Sequence, residues 1–184
     1  MRKIKLAMYI SIDGVVDNPA WTAPFWSDDL AKLQADYLFA SEALLLGRVT
    51  YEGFAAAWPT MTETGEFGVK MNTMPKFVAS RTLEHCEWNA TLLKGDLAAE
   101  VARLRDQPGG DLLIYGSGSL VQELSQLGLI DEYRLMLHPV VVGSGKRFLT
   151  QAHPTMNLRL VDSAITSTGV AVLTYVPTAA SAPA

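Results

Sequence analysis

Three short stretches of the chain carry groups that suit an anion. In Leu112-Leu113-Ile114-Tyr115-Gly116-Ser117-Gly118-Ser119-Leu120 an apolar run stops at glycine and serine, and Leu120, Val121, Leu124 and Leu127 then recur at helical spacing. The pattern is strand, tight turn and helix. Such a turn leaves the first backbone N–H groups of the helix unpaired, at the positive end of its dipole. Residues 44–52 repeat the form, with Arg48 directly after Gly47 and Thr50 at the helix start. Phe77-Val78-Ala79-Ser80-Arg81 delivers a hydroxyl and an arginine at the end of a third strand. In open α/β sheets ligands sit beyond the carboxyl ends of strands, so the three stretches can converge on one polyphosphate. The forked guanidinium suits Arg48 and Arg81 to an extra 2′-phosphate, and so to NADPH over NADH. Taken singly, each stretch has a plainer reading: loop arginines in solvent, and a Gly-x-Gly that only turns the chain. The full dinucleotide fingerprint is absent, because Val121 stands where a third glycine or alanine belongs. Asp131 and Glu132 also come too early to be its ribose-binding acid.

Proton chemistry needs a different group. A carboxyl in an apolar pocket keeps or relays a proton, because burial raises its pKa. Asp13, in an Asp-Gly turn, and Asp29, opening an amphipathic helix, are the candidates; a turn acid and a helix-start charge are the alternatives. Trp21, Phe25 and Trp26 offer flat faces to a heterocycle, or simply pack a loop. Other signals fail. Gly143-Ser144-Gly145-Lys146 is followed by Arg147 where a P-loop has Ser or Thr, and Val140 replaces its first glycine. His85-Cys86 is too close a pair for common zinc spacing, and His138 and His153 each precede a proline, so no metal site is expected. There is no Gly-x-Ser-x-Gly elbow. Met61, Met71 and Met74, in the long connection, suit the lining of an adaptable pocket or, more plainly, fill gaps.

The elements that must position these residues follow from periodicity. Residues 3–12 form a strand closed by Asp13-Gly14, and 15–27 a loop. Ser27, Asp28 and Asp29 start a helix with a hydroxyl cap and early negative charge; Leu30, Leu33, Tyr37 and Leu38 are its buried stripe. Residues 43–46 are a short strand. Thr50 caps a helix that runs through Phe54 and ends before Pro59, and 59–75 are a long connection. Residues 76–79 and 91–93 are strands, and Leu97, Val101 and Leu104 mark a helix that begins near Asp96 and closes at Pro108-Gly109-Gly110. Alternating strands and helices call for a mainly parallel sheet with right-handed crossovers. After residue 127 the strands 132–142, 158–163 and 170–176 follow without helices, which predicts an antiparallel edge. No repeat or linker interrupts the pattern, so one domain is expected over 1–177, with a flexible tail at 178–184.

The composition narrows the partners. At 184 residues the chain suits a single core, and 49% hydrophobic against 18% charged residues argue against disorder. A net charge of −4 and a pI near 5.3 give no basic footprint for nucleic acid. Between Leu6 and Gly47 the only basic residue is Lys32. A lone cysteine, Cys86, excludes an internal disulfide and fits a reducing cytoplasm. No cleavable leader pattern is present, and Gly169 and Pro177 interrupt the uncharged C-terminal region, so no membrane span is expected.

The same residues resemble the dihydrofolate reductase-like superfamily, and within it the reductase domain at the C-terminus of bifunctional riboflavin-biosynthesis proteins, in a small stand-alone form. The similarity runs from Ser11-Ile12-Asp13-Gly14 through Gly47-Arg48-x-Thr50-Tyr51-Glu52, Ser80-Arg81-Thr82 and Tyr115-Gly116-Ser117-Gly118. It continues in Leu129-Ile130-Asp131-Glu132-Tyr133-Arg134-Leu135 and His138-Pro139-Val140-Val141-Val142-Gly143-Ser144-Gly145-Lys146. The resemblance implies an α/β domain with an eight-stranded sheet, helices on both faces, NADPH as hydride donor, and a homodimer. It implies that Gly47, Arg48, Thr50, Ser80, Arg81 and the turn Gly116, Ser117, Gly118, Ser119 and Leu120 hold the cofactor. It places Ser11, Asp13, Trp26, the helix of Asp29, and Phe54 toward the substrate, with Asp29 set like the acid of folate-reducing relatives. A family member of this kind reduces the ribose of a phosphorylated aminopyrimidine, 5-amino-6-(5-phosphoribosylamino)uracil. The few basic residues before Gly47 leave little to hold that phosphate, and the companion zinc deaminase pattern is missing. A dihydrofolate-type reductase, a nucleotide-binding module without turnover, and a dimeric structural domain remain the alternatives.

Overall fold

Strand β1 (Ile4–Ser11) alternates between two buried faces: Ile4, Leu6 and Met8 enter one core, and Ala7 enters the other with Tyr9 packed against it. A strand apolar on both faces must lie inside a sheet covered on both sides. The computed structural model describes residues 1–149 and 153–178 and places β1 in such a sheet. Then come α1 (Asp28–Phe39), β2 (Ser41–Gly47), α2 (Arg48–Ala57), α3 (Gly65–Thr73), β3 (Lys76–Ala79) and β4 (Ala90–Leu93). The remainder is α4 (Leu97–Asp106), β5 (Asp111–Tyr115), α5 (Gly118–Gln126), β6 (Glu132–His138), β7 (Leu158–Ile165) and β8 (Ala171–Pro177).

The eight-stranded sheet has the order β4-β3-β2-β5-β1-β6-β8-β7. Strands β1 to β6 pair in parallel, whereas β8 runs antiparallel to β6 and β7 antiparallel to β8. The mainly parallel α/β sheet with an antiparallel C-terminal edge is therefore as expected. Val101 and Leu104 of α4 and Leu120, Val121 and Leu124 of α5 fill one core; Leu30 and Leu38 of α1, Tyr51 of α2 and Met71 of α3 fill the other. Among the described residues no helix is long and apolar enough to cross a membrane.

Four expectations need correction. The connection 59–75 contains α3, while Met71 and Met74, read as gap-fillers, do fill the core at 1% and 3% exposure. Thr50 is not a cap: α2 already begins at Arg48, with extended Gly47 at the N-cap. Strand β6 stops at His138 rather than at residue 142, because Pro139 has no N–H for the ladder. The loop 15–27 winds into a 3-10 helix over Pro19–Phe25. Of the tail expected at 178–184, residues 179–184 lie outside the described residues.

Candidate active site

Strand β5 enters the sheet between β2 and β1, so the turn after it meets the turn after β2. Side chains lock the two together. Ser117 Oγ accepts from the Gly47 N–H at 3.0 Å, and the Ser117 N–H donates to Thr50 Oγ1 at 3.1 Å. Gly116 and Ser117 both adopt left-handed backbone, at φ 56° and 59°. For Gly116 the conformation is free; for Ser117 it is held by these bonds. The first intrahelical bond of α5 runs from the Val121 N–H to the Ser117 carbonyl at 2.9 Å, so the N–H groups of Gly118, Ser119 and Leu120 are ahead of the ladder and available to an anion.

Beyond these strand ends lies a cavity of about 1130 Å³. Gly47, Arg48 and Thr50 line it from β2 and α2, Ser80 and Arg81 from the end of β3, and the turn of Gly116 to Leu120 from β5 and α5. All the residues expected to hold the cofactor therefore share one cleft. Its volume exceeds that of an ordinary small-molecule pocket. The donor set, with glycine and serine N–H groups, hydroxyls and two guanidinium groups, fits a phosphorylated nucleotide. Each arginine is meanwhile paired: Arg48 with Glu52 at 2.9 Å and Arg81 with Glu123 at 3.2 Å. Exposed pairs of this kind contribute at most about 1 kcal/mol, so a phosphate can displace either glutamate.

The other half of the cavity is built by β1, α1, α2 and β6. Tyr9, Gln34, Trp26, Phe54 and Met136 line it. Trp26 and Phe54, expected toward a substrate, are among these lining residues. Ser11, Asp13 and Asp29 do not line the cavity. The Ser11 hydroxyl is fully buried; it donates to Asp13 at 2.6 Å and accepts from the Val15 N–H at 2.8 Å. Asp13 also accepts from the N–H groups of Val142 and Gly143, at 3.1 and 2.9 Å. The Ser11 hydroxyl and these backbone donors hold its pKa down at about 2. Asp29 accepts from the Ser27 hydroxyl, from the Ser167 N–H at 2.6 Å and from the Leu30 N–H at 3.0 Å, and its pKa is likewise lowered, first by Ser27. The sequence leaves two readings at these positions, a proton-storing carboxyl or a plain turn or helix-start charge. The surroundings match the second: polar loop donors, not an apolar pocket, hold both as ionised clasps.

The residues missed by the sequence reading are Tyr9 and Gln34. Gln34 carried a visible signal: it lies midway between Leu30 and Leu38 on α1, one turn from each, on the stripe that faces the core. Gln34 is 5% exposed. Burial raises the pKa of Tyr9, and the hydrogen bond from Gln34 lowers it in part, so the phenol keeps its proton at neutral pH.

Comparison with known proteins agrees with this architecture. The family described as RibD C-terminal domain matches residues 2–172. The chain is similar to YyaP of Bacillus subtilis, an uncharacterized protein, with 28% identity over 177 residues that cover 95% of this chain and 94% of YyaP. Among solved structures it is similar to a candidate riboflavin biosynthesis protein from a Shewanella species, with a TM-score of 0.77 and 19% identity over 97% of this chain and all of the other. It also shares its fold with a dihydrofolate reductase of Enterococcus faecalis complexed with NADP(H), with a TM-score of 0.63 and 14% identity over 96% and 97% of the two chains.

Proposed function

We propose, for a chain that belongs to the RibD C-terminal domain family, an NADPH-dependent reductase that passes hydride to a small, flat, nitrogen-containing heterocycle or its sugar adduct. The activity is of the 5-amino-6-(5-phosphoribosylamino)uracil reductase kind and is exercised in the cytoplasm by a homodimer. One observation carries the reading: Arg48, Arg81 and the turn at residues 116–120 line the same cavity as Trp26 and Phe54. The nucleotide-bound fold of the Enterococcus faecalis dihydrofolate reductase supports it.

When bound, the cofactor supplies the hydride. The chain's own residues do the rest. The N–H groups at the start of α5 and the Ser80 hydroxyl would hold phosphate oxygens, Ser117 would keep that turn in place through Gly47 and the Tyr115 carbonyl, and Arg48 and Arg81 would take the 2′-phosphate by exchange with their glutamates. Trp26 and Phe54 flank the flat ring and exclude water from it. Asp13 and Asp29 act as positioning residues: the first ties the turn after β1 to Val142 and Gly143, the second ties the start of α1 to Ser167.

The test is a titration of the purified protein with NADPH and separately with NADH, followed by tryptophan fluorescence and nicotinamide emission. Saturable binding that prefers NADPH is expected, with turnover of a pterin or aminopyrimidine. Binding without turnover on any such substrate would make the chain a nucleotide-binding module, and no binding of either cofactor would remove the proposal. Arg48→Ala should weaken NADPH about tenfold, the loss of one charge-assisted contact, and NADH less than about twofold. Equal losses would take the 2′-phosphate away from Arg48.

A further inference from the structure

Gln34 does not satisfy its own hydrogen-bonding capacity. Its Nε2 donates to Tyr9 Oη at 2.7 Å and approaches Met136 Sδ at 3.4 Å, while its Oε1 is buried without a partner. In the opposite orientation Oε1 would accept from Tyr9 Oη but also face the Met136 sulfur, which has no proton to give, and the two N–H donors would be buried unpaired where Oε1 now lies; the present orientation orphans one acceptor only. The Tyr115 hydroxyl fixes the helix at this point by donating to the Gln34 carbonyl at 3.2 Å. Leucine would complete the stripe of Leu30 and Leu38 with no orphaned oxygen, so this amide costs stability where it stands. What it achieves is the direction of one hydrogen bond. Tyr9 Oη accepts a hydrogen bond from Gln34 Nε2 and so keeps its own O–H free to donate, and among the described residues no acceptor takes it. The His138 ring, edge-on at 5.3 Å, packs the phenol in place. Tyr9 lines the cavity, whereas the hydroxyl of Tyr115 is already engaged.

We propose that Tyr9 is a specificity-determining hydrogen-bond donor to the heterocycle, directed by Gln34 as a positioning residue. The ligand atom it reads is an acceptor, a ring nitrogen or a carbonyl oxygen. The inference rests on the reductase reading for the identity of the ligand class. None of β1, α1 or β6 contributes a cation to the cavity, so the group read is uncharged. Both carboxylates expected to supply a proton lie outside the cavity, which leaves Tyr9 as the protonated group on this wall.

The experiment uses pterin as the probe and measures its dissociation constant at pH 8, with NADPH titrated in parallel, in wild type, Tyr9→Phe, Gln34→Leu and Gln34→Glu. Tyr9→Phe should weaken pterin about tenfold and leave NADPH within about twofold. Gln34→Glu decides the mechanism. It is isosteric, but its carboxylate only accepts, so Tyr9 must turn its proton toward Glu and cannot give it to the ligand. Pterin binding should fall as far as in Tyr9→Phe and recover on acidification as the new carboxyl takes up a proton. Gln34→Leu should weaken pterin less and raise Tm. Full pterin affinity in Tyr9→Phe or in Gln34→Glu would overturn the assignment, as would a wild type that binds no pterin. A wild type that binds pterin but no NADPH would sink the reductase reading and leave Tyr9 in its role.

Discussion

His138 is the side chain through which acid should reach the site. It is fully buried at the end of β6, and the rings of Tyr9, Trp21 and Phe25 stand edge-on to it at 5.3, 5.4 and 5.8 Å. Burial pushes its pKa below the usual histidine value, with the carbonyls of Met136 and Ile10 offsetting part of that. Folding therefore holds the neutral form, and the unfolded chain takes up the proton more readily. The stability from neutral His138 is complete above about pH 6.5 and is lost as pH falls below it toward the depressed folded value. Thermal denaturation at pH 5 to 8 should show Tm level at the top of this range and falling at the bottom, with a slope in unfolding free energy no steeper than about 1.4 kcal/mol per pH unit for one proton. His138→Asn should lower Tm throughout and flatten that slope; an unchanged slope would place the acid sensitivity elsewhere. Asp13 acts in the same direction at lower pH. Its pKa is depressed, so its contribution is present above the unfolded carboxylate value of about 3.9 and lost as pH falls toward about 2.

At the scale of elements, the turn between β5 and α5 shows what a strand–turn–helix pattern specifies. Gly116→Ala would set a Cβ 3.7 Å from Thr50 Oγ1, an ordinary contact, so its cost comes from the backbone at φ 56°. That is about 1 kcal/mol, or roughly 2–4 °C in Tm for a domain of this size. NADPH should weaken as well, since the same turn aims the N–H groups of α5; a Tm loss with unchanged NADPH affinity would separate the turn from the cofactor. The sequence made this turn readable, with its partner at Gly47, because apolar runs that stop at glycine and resume with helical period have few other solutions. It also revealed both arginines, since a strand end fixes where they emerge. Contacts between distant elements were illegible. Thr50 looked like a cap because its hydroxyl suits one, and only the insertion of β5 beside β2 gives it Ser117 as a partner. Asp13 and Asp29 stayed open between pocket acid and structural charge because nothing in the sequence marks residues 142, 143 and 167 as their neighbours. α3 was hidden by its weak amphipathicity and its flanking Thr and Gly residues, and Gln34 by a reading that counted only apolar positions on the stripe.

For the whole molecule, the sheet ends on opposite terms at its two edges. At one edge β4 is short, four residues long, and little is exposed to invite pairing. At the other, β7 runs for eight residues with nearly every side chain in solvent. Leu160, Val161 and Ile165 are 48%, 43% and 79% exposed on it. A long edge strand with apolar side chains and unpaired backbone groups invites association unless another surface covers it. The homodimer proposed above is expected to use this edge, with a second copy laid against β7, and a net charge of only −4 would oppose that weakly. Sedimentation of the wild type at micromolar concentration should give twice the chain mass of 20.0 kDa. The double variant Leu160→Lys, Ile165→Lys should sediment as a monomer with unchanged circular dichroism, because neither side chain belongs to the core. It should still bind NADPH, since β7 lies at the sheet edge beyond β6 and β8 and contributes nothing to the cavity lining. A wild type that stays monomeric at every concentration would end the dimer proposal, and a dimeric lysine variant would move the interface to another face.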